Sequence, residues 1–160
     1  MLRIFEVSEN QIMQTKDRLI YKTKTYFISS DPLKSLFELM GDDKPVFDVG
    51  YTHHYRLYSG TWEIENEKLF LVDFWGFIAT DIKVSLDFLF PDQKKVFAGW
   101  FSGDIDLPQG RYRDDGFAGS RVYEKYLYLE FKYGAIVGSR VKETKNFDAE
   151  RIWNPEDEMI

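Results

Sequence analysis

Asp104 and Asp106 are two residues apart, a spacing at which a strand can do chemistry. Alternate strand residues share a face, so both carboxylates would stand on one side with Cα atoms ~7 Å apart. Paired carboxylates are the raw geometry of glycoside cleavage, with one group donating a proton while the other attacks or activates water. Trp100 and Ser102 continue the same alternation, and an indole is a surface on which a sugar ring stacks. The competing reading is a strand end that faces water, because "LPQG" at 107–110 reads as a stop. His53 and His54 are the only histidines. Neighbours on a strand point to opposite faces, so they are poorly placed to share a metal ion, and no metal site is expected. His54, with Asp48 and Tyr51 close in sequence, is a candidate general base. No nucleophile-elbow, phosphate-cradle or zinc-protease pattern is present, and no cofactor is expected.

The elements that must position these groups read as β. The chain has 160 residues, one domain's worth, and aromatic residues make up 18% of it. "RLIYKTKTYFIS" (18–29) alternates as one half-exposed strand. "SSDPLKSLFELMGDD" reads as a helix, with Ser30 or Asp31 as cap, Pro32 in the first turn, Leu33, Leu36, Phe37 and Met40 on one face, and Gly41 as stop. "YSGTWEIENEKLFLVDFWG" (58–76) reads as a hairpin turning at Glu65–Lys68. That register sets Trp62 against Leu71, Glu63 against Phe70, Thr61 against Val72, Ser59 against Phe74 and Tyr58 against Trp75. Both faces are mostly apolar, which predicts burial on both sides. "IKVSLDFLFP" and "KVFAGWFSGDIDLPQG" read as strands, 111–120 as a loop, and "RVYEKYLYLEF", "KYG", "AIVGSRV" as a last hairpin. The fold expected is mainly β. It is a single antiparallel β-sandwich or partly closed barrel of about seven to nine strands over 1–160, with one early helix. Residues 147–160 form an acidic tail, a short second helix or a flexible end.

There is no cysteine and the formal net charge is −6. Residues 51–110 hold nine acids and five bases. Such a balance disfavours a phosphate backbone, so nucleic acid is not the expected partner. No apolar run is long enough for a membrane helix, and the amino terminus lacks a secretory h-region. A cytoplasmic protein is expected.

"SGTWEI" carries the Gly-x-Trp that resembles the first-strand signature of lipocalin-like and fatty-acid-binding barrels, which implies an apolar-ligand barrel as an alternative. More of the chain resembles a bacterial family of uncharacterised β-rich proteins. The likeness runs through "YKTKTYFI", "SDPLKSLF", "YSGTWEIENEKLFLVDF", "LFPDQKKVFAGWFSGDIDLPQG" and "YEKYLYLEFKYGAIVG", roughly residues 18–138. In that family the Gly-x-Trp follows a W-R-G-Y segment. Here it follows "YRLYSG", which keeps Arg56 and lacks the tryptophan. The family has no established activity, so the resemblance implies one compact domain and no catalytic residues.

Small acidic β domains of this kind include bacterial immunity proteins, which neutralise a toxin by covering its active site. The leading expectation is therefore a non-enzymatic binding protein whose partner is another protein, a basic one steered by charge. Arg56, Tyr58, Trp75, Trp100, Asp104 and Asp106 are its expected contact residues, since Tyr, Trp and Arg anchor interfaces. A hydrolase using Asp104 and Asp106 is the third reading.

Overall fold

The computed structural model describes residues 16–47, 56–114 and 121–147. His53, His54, Asp48, Tyr51 and the acidic tail from 148 lie outside the described residues.

Among the described residues nine strands form one mixed sheet. In chain order, β1 (Asp17–Tyr21) and β2 (Lys24–Ile28) precede α1 (Pro32–Met40), then β3 (Tyr58–Glu65) and β4 (Lys68–Ala79). After β5 (Ile82–Ser85) comes one helical turn, α2 (Leu86–Leu89), then β6 (Val96–Phe97), β7 (Gly103–Asp114), β8 (Arg121–Lys132) and β9 (Ala135–Glu143). The hydrogen-bonded order is β2-β1-β3-β4-β9-β8-β7, with β5 and β6 also on β4. The sheet curls until β2 lies near β7, where the Ser30 hydroxyl donates to Asp104 O at 3.2 Å. No ladder joins those two strands, so the sheet is not closed into a barrel. Among the described strands one pair, β1 with β3, is parallel, and the other pairs are antiparallel, in keeping with the mostly antiparallel β domain expected. The crossover through β2 and α1 brings β3 back alongside β1 in the same direction.

The expected helix forms over Pro32–Met40. The Asp31 carboxylate accepts from Lys34 N–H, Pro32 opens the first turn, and Leu33 and Phe37 point into the core. The core runs through both halves of the sheet, from Leu19, Trp62, Leu71 and Phe74 to Ile105, Leu129 and Phe131. Its members are fully or almost fully buried, so side chains fill the inside of the curl.

Several strand boundaries depart from expectation for local reasons. Residues 18–29 are a hairpin, not one strand, because Lys22 and Thr23 take φ of 49° and 65°. Positive φ at both central residues is what a type I′ two-residue hairpin turn requires, and without Gly or Asn the turn has no compositional mark. "IKVSLDFLFP" breaks after Ser85 into the turn α2. β7 does not stop at "LPQG". It continues to Asp114, and Pro108 is tolerated because β7 is an edge strand. Residues 111–114, expected in a loop, therefore belong to β7, and 115–120 are outside the described residues.

In the β3–β4 hairpin, Trp62 meets Leu71 and Glu63 meets Phe70 as expected. A bulge at Thr61/Trp62 then moves the register by one, pairing Thr61 with Asp73, Ser59 with Trp75 and Tyr58 with Gly76. The bulge exchanges the faces of β4, so Leu69 and Leu71, then Phe74 and Gly76, point inward. The hairpin is buried on that face and only half-buried on the other, where Phe70, Trp75 and Phe77 lie.

The two halves of the sheet meet at the β8–β9 turn. Gly134 N–H donates to Phe101 O, and Leu69 N–H donates to Gly134 O, both at 2.8 Å. Gly134 has φ of 82°, and a Cβ there would lie 2.6 Å from Ala98 O. Gly134→Ala should therefore destabilise by about 2–3 kcal/mol through the left-handed backbone and the clash. A denaturant titration that leaves the midpoint unmoved would show the junction to be dispensable.

Candidate functional site

Asp17 opens β1 on the same face as Leu19, and that face is buried. Its carboxylate is fully buried and fully engaged. Oδ1 accepts from Gly60 N–H at 2.9 Å and from Arg56 Nη2 at 2.8 Å, while Oδ2 accepts from Trp62 Nε1–H at 2.8 Å. Burial pushes the Asp17 carboxyl above the usual carboxylate range. The Arg56 guanidinium, then the Gly60 and Trp62 donors, pull against that shift.

Arg56 reaches on to Asp31, with Nη1 3.4 Å from Oδ2. The Tyr58 hydroxyl donates to the same oxygen at 2.5 Å, and the guanidinium lies over the Tyr58 ring, 5.0 Å from its centroid. Burial, then the Asp31 hydrogen bond and charge, pushes the Tyr58 phenol far above its ordinary range. Two carboxylates thus share one guanidinium, joining β1, β3 and the cap of α1 in one polar lock. Asp17 has no solvent-facing surface through which to exchange a proton with a substrate. The chemistry of this cluster is fixation.

Four of the six expected contact residues converge on the connector Ser30–Pro32. Arg56 and Tyr58 hold Asp31, Trp100 Nε1–H donates to Pro32 O at 2.9 Å, and Asp104 O receives the Ser30 hydroxyl. Trp100 sits in the turn before β7, stacked on Phe90 and edge-on to Trp62. Trp100 and Ser102 therefore do not continue the strand face of Asp104 and Asp106. The two aspartates alternate with buried Ile105 and Leu107 and so lie on the outer face of β7. There Arg140 Nη2 pairs with Asp104 Oδ2 at 2.8 Å. Among the described residues no three His, Cys, Asp or Glu side chains gather as metal ligands would.

Trp75 lies apart from this cluster, on the outer face of β4. It packs edge-on against Phe77, with Lys83 Nζ 5.5 Å from its ring centroid. Asp73, Phe74, Trp75, Lys83, Val84 and Ser85 line an open depression of about 360 Å³. On the same outer face Phe70 packs against Phe97, with Lys95 Nζ 4.7 Å from the Phe70 centroid. Phe97 and Ile82 remain exposed.

Two members of the lock carry no functional mark in the sequence. Asp31 reads there only as a helix cap, and Asp17 falls just before the stretch at 18–29 read as a strand. Strict alternation places Asp17 on the face of Leu19, but nothing local names its partner 39 residues away. The Trp62 of the Gly-x-Trp triplet is a buried donor to this aspartate within the core. No helix among the described residues is long and apolar enough to cross a membrane. Compared with known proteins, the chain matches no family model, no curated protein and no solved structure.

Proposed function

We propose that this chain acts by binding another protein rather than by catalysis, in the manner of a neutralising immunity-type protein. The observation that carries the reading is the outer face of β4, β5 and β6, where Trp75 stands accessible beside a shallow depression amid further aromatics. An aromatic anchor on a half-exposed apolar face with a charged rim is the composition of an interface centre. The partner would place an apolar side chain against Trp75 and a carboxylate near Lys83. The net charge of −6 would favour overall attraction to a basic partner.

The test is affinity capture from host lysate with wild type and with Trp75→Ala. A protein held by the wild type should bind Trp75→Ala at least ~30-fold more weakly, as expected for loss of a ~2 kcal/mol anchor. The melting temperature should change little, since Trp75 is only half-buried. Equal retention by both would overturn the assignment of this face. A small molecule co-purifying with an otherwise empty lane would replace protein binding by ligand binding.

A further inference from the structure

The far end of the β7–β8 hairpin carries a strip of rings. Tyr112 and Tyr123 pair across the two strands with ring centroids 5.5 Å apart, and Tyr126 lies edge-on to Tyr123 at 6.2 Å. The Arg121 guanidinium covers the Tyr112 ring, 4.3 Å from its centroid. Tyr112 is 43% exposed. A bulge sets the strip apart from the core. Gly110, with φ of 78°, and Arg111 stand where β8 has only Glu124, and Arg111 Nε donates to Glu124 Oε2 at 2.8 Å. This end of the sheet is also basic. Over 109–114, 121–126 and 142–145 it holds six bases and three acids, in a chain of net charge −6.

The chain comes back to this strip as it leaves β9. Thr144 N–H donates to Glu124 O at 2.8 Å, the Thr144 hydroxyl donates to Tyr123 O, and the Arg113 guanidinium lies 5.9 Å from the Phe147 ring centroid. Phe147 thus delivers the chain to the flank of the tyrosines. The sequence that follows has the opposite character. Residues 148–160 hold five acids and one base, with Ile152 and Trp153 between the acids.

We propose that residues 148–160 dock on this strip, with their carboxylates against Arg113 and Arg121 and with Trp153 against the tyrosine rings. The charges are complementary, and arginine and aromatic rings are surfaces on which an indole packs well. Reach is ample. At ~3.3 Å per residue the strip from 121 to 126 is ~17 Å long, well within the span of the segment. The tether through Phe147 holds the two surfaces at an effective concentration on the order of millimolar, so a contact too weak to form between separate molecules is populated within one. This inference stands independently of the face around Trp75.

A spin label on the full chain tests it. The sequence has no cysteine, so Asn154→Cys accepts a single nitroxide. In isotope-labelled protein the nitroxide should broaden the backbone amide signals of Tyr112, Arg121, Tyr123 and Tyr126. Arg113→Gln with Arg121→Gln should restore most of that intensity, and so should ~1 M salt, where the screening length is ~3 Å. Asp148→Asn with Glu150→Gln makes the same separation from the other side without altering the strip. Circular dichroism and melting establish that each variant is folded. A tether that only sweeps the surface broadens its surroundings whatever the charge, so broadening indifferent to both pairs of substitutions overturns the proposal. Absence of broadening on the strip does so too. Mixing spin-labelled chain with isotope-labelled chain that carries no nitroxide reads contacts between molecules. Equal broadening in that mixture would assign the strip to a second copy and overturn docking within the chain.

Discussion

Replacing Arg56 with methionine should destabilise the protein by about 3–5 kcal/mol at neutral pH. Methionine keeps much of the side-chain length, so the loss comes from charge and hydrogen bonding. Asp17 would remain fully buried with Gly60 N–H and the Trp62 indole as its donors and no cation beside it. Asp31 would lose the same guanidinium. The deficit has a defined pH dependence. Burial already raises the Asp17 carboxyl, and Arg56 is the largest influence lowering it. Without Arg56 the folded-state pKa rises further, so the folded state binds its proton more tightly than the unfolded chain does. For a group shifted in that sense, the favourable contribution is present at acid pH and is lost as pH rises through the folded value. The variant should therefore lie closest to wild type in acid and fall behind as pH rises toward neutrality. Chemical denaturation at a series of pH values measures this. A deficit that is constant with pH would mean that Asp17 does not feel the guanidinium. Asp17→Asn combined with Arg56→Met should recover part of the loss, because the uncompensated charge is gone.

Trp62→Ala should cost about 3–5 kcal/mol, and Trp62→Phe about 1–3 kcal/mol. Alanine opens a cavity at a fully buried position flanked by Trp100 and Leu71. Phenylalanine retains most of the packing and removes only the Nε1–H that satisfies Asp17 Oδ2. The difference between the two variants separates packing from polar satisfaction at one site. A Trp62→Phe variant as stable as wild type would show that the indole donor contributes nothing net. A Trp62→Ala variant with an unchanged unfolding midpoint would contradict the burial of the ring.

Both predictions bear on the reading of Arg56 and Tyr58. Residue type alone makes them candidate partner contacts, and type does not distinguish an interface anchor from an internal clamp. The structure engages both with Asp31, and Arg56 with Asp17 as well. Trp75 is the expected contact residue left on an accessible aromatic face, which is why the binding proposal rests there.

Features whose causes are local in the chain are legible in the sequence itself. Asp31-Pro32 and the spacing of Leu33 and Phe37 specify α1 within a few residues, because caps and helical periodicity act over single turns. Alternating aromatic and β-branched residues likewise mark the 58–79 and 121–143 hairpins, and the mainly β class follows from them. What tertiary structure alone decided depends on contacts between distant segments. The Lys22-Thr23 turn has no favourable residue and is held by the strands it joins. The bulge at Thr61/Trp62 reflects the need to bury Leu71 and Phe74 on one side although their spacing is odd. Asp17 falls just before the stretch at 18–29 read as a strand, and only the return of β3 alongside β1 supplies the guanidinium, amide and indole that make its burial tolerable. A chain's local preferences set its elements. The cost of burying charge and unpaired polar groups is settled only once those elements meet.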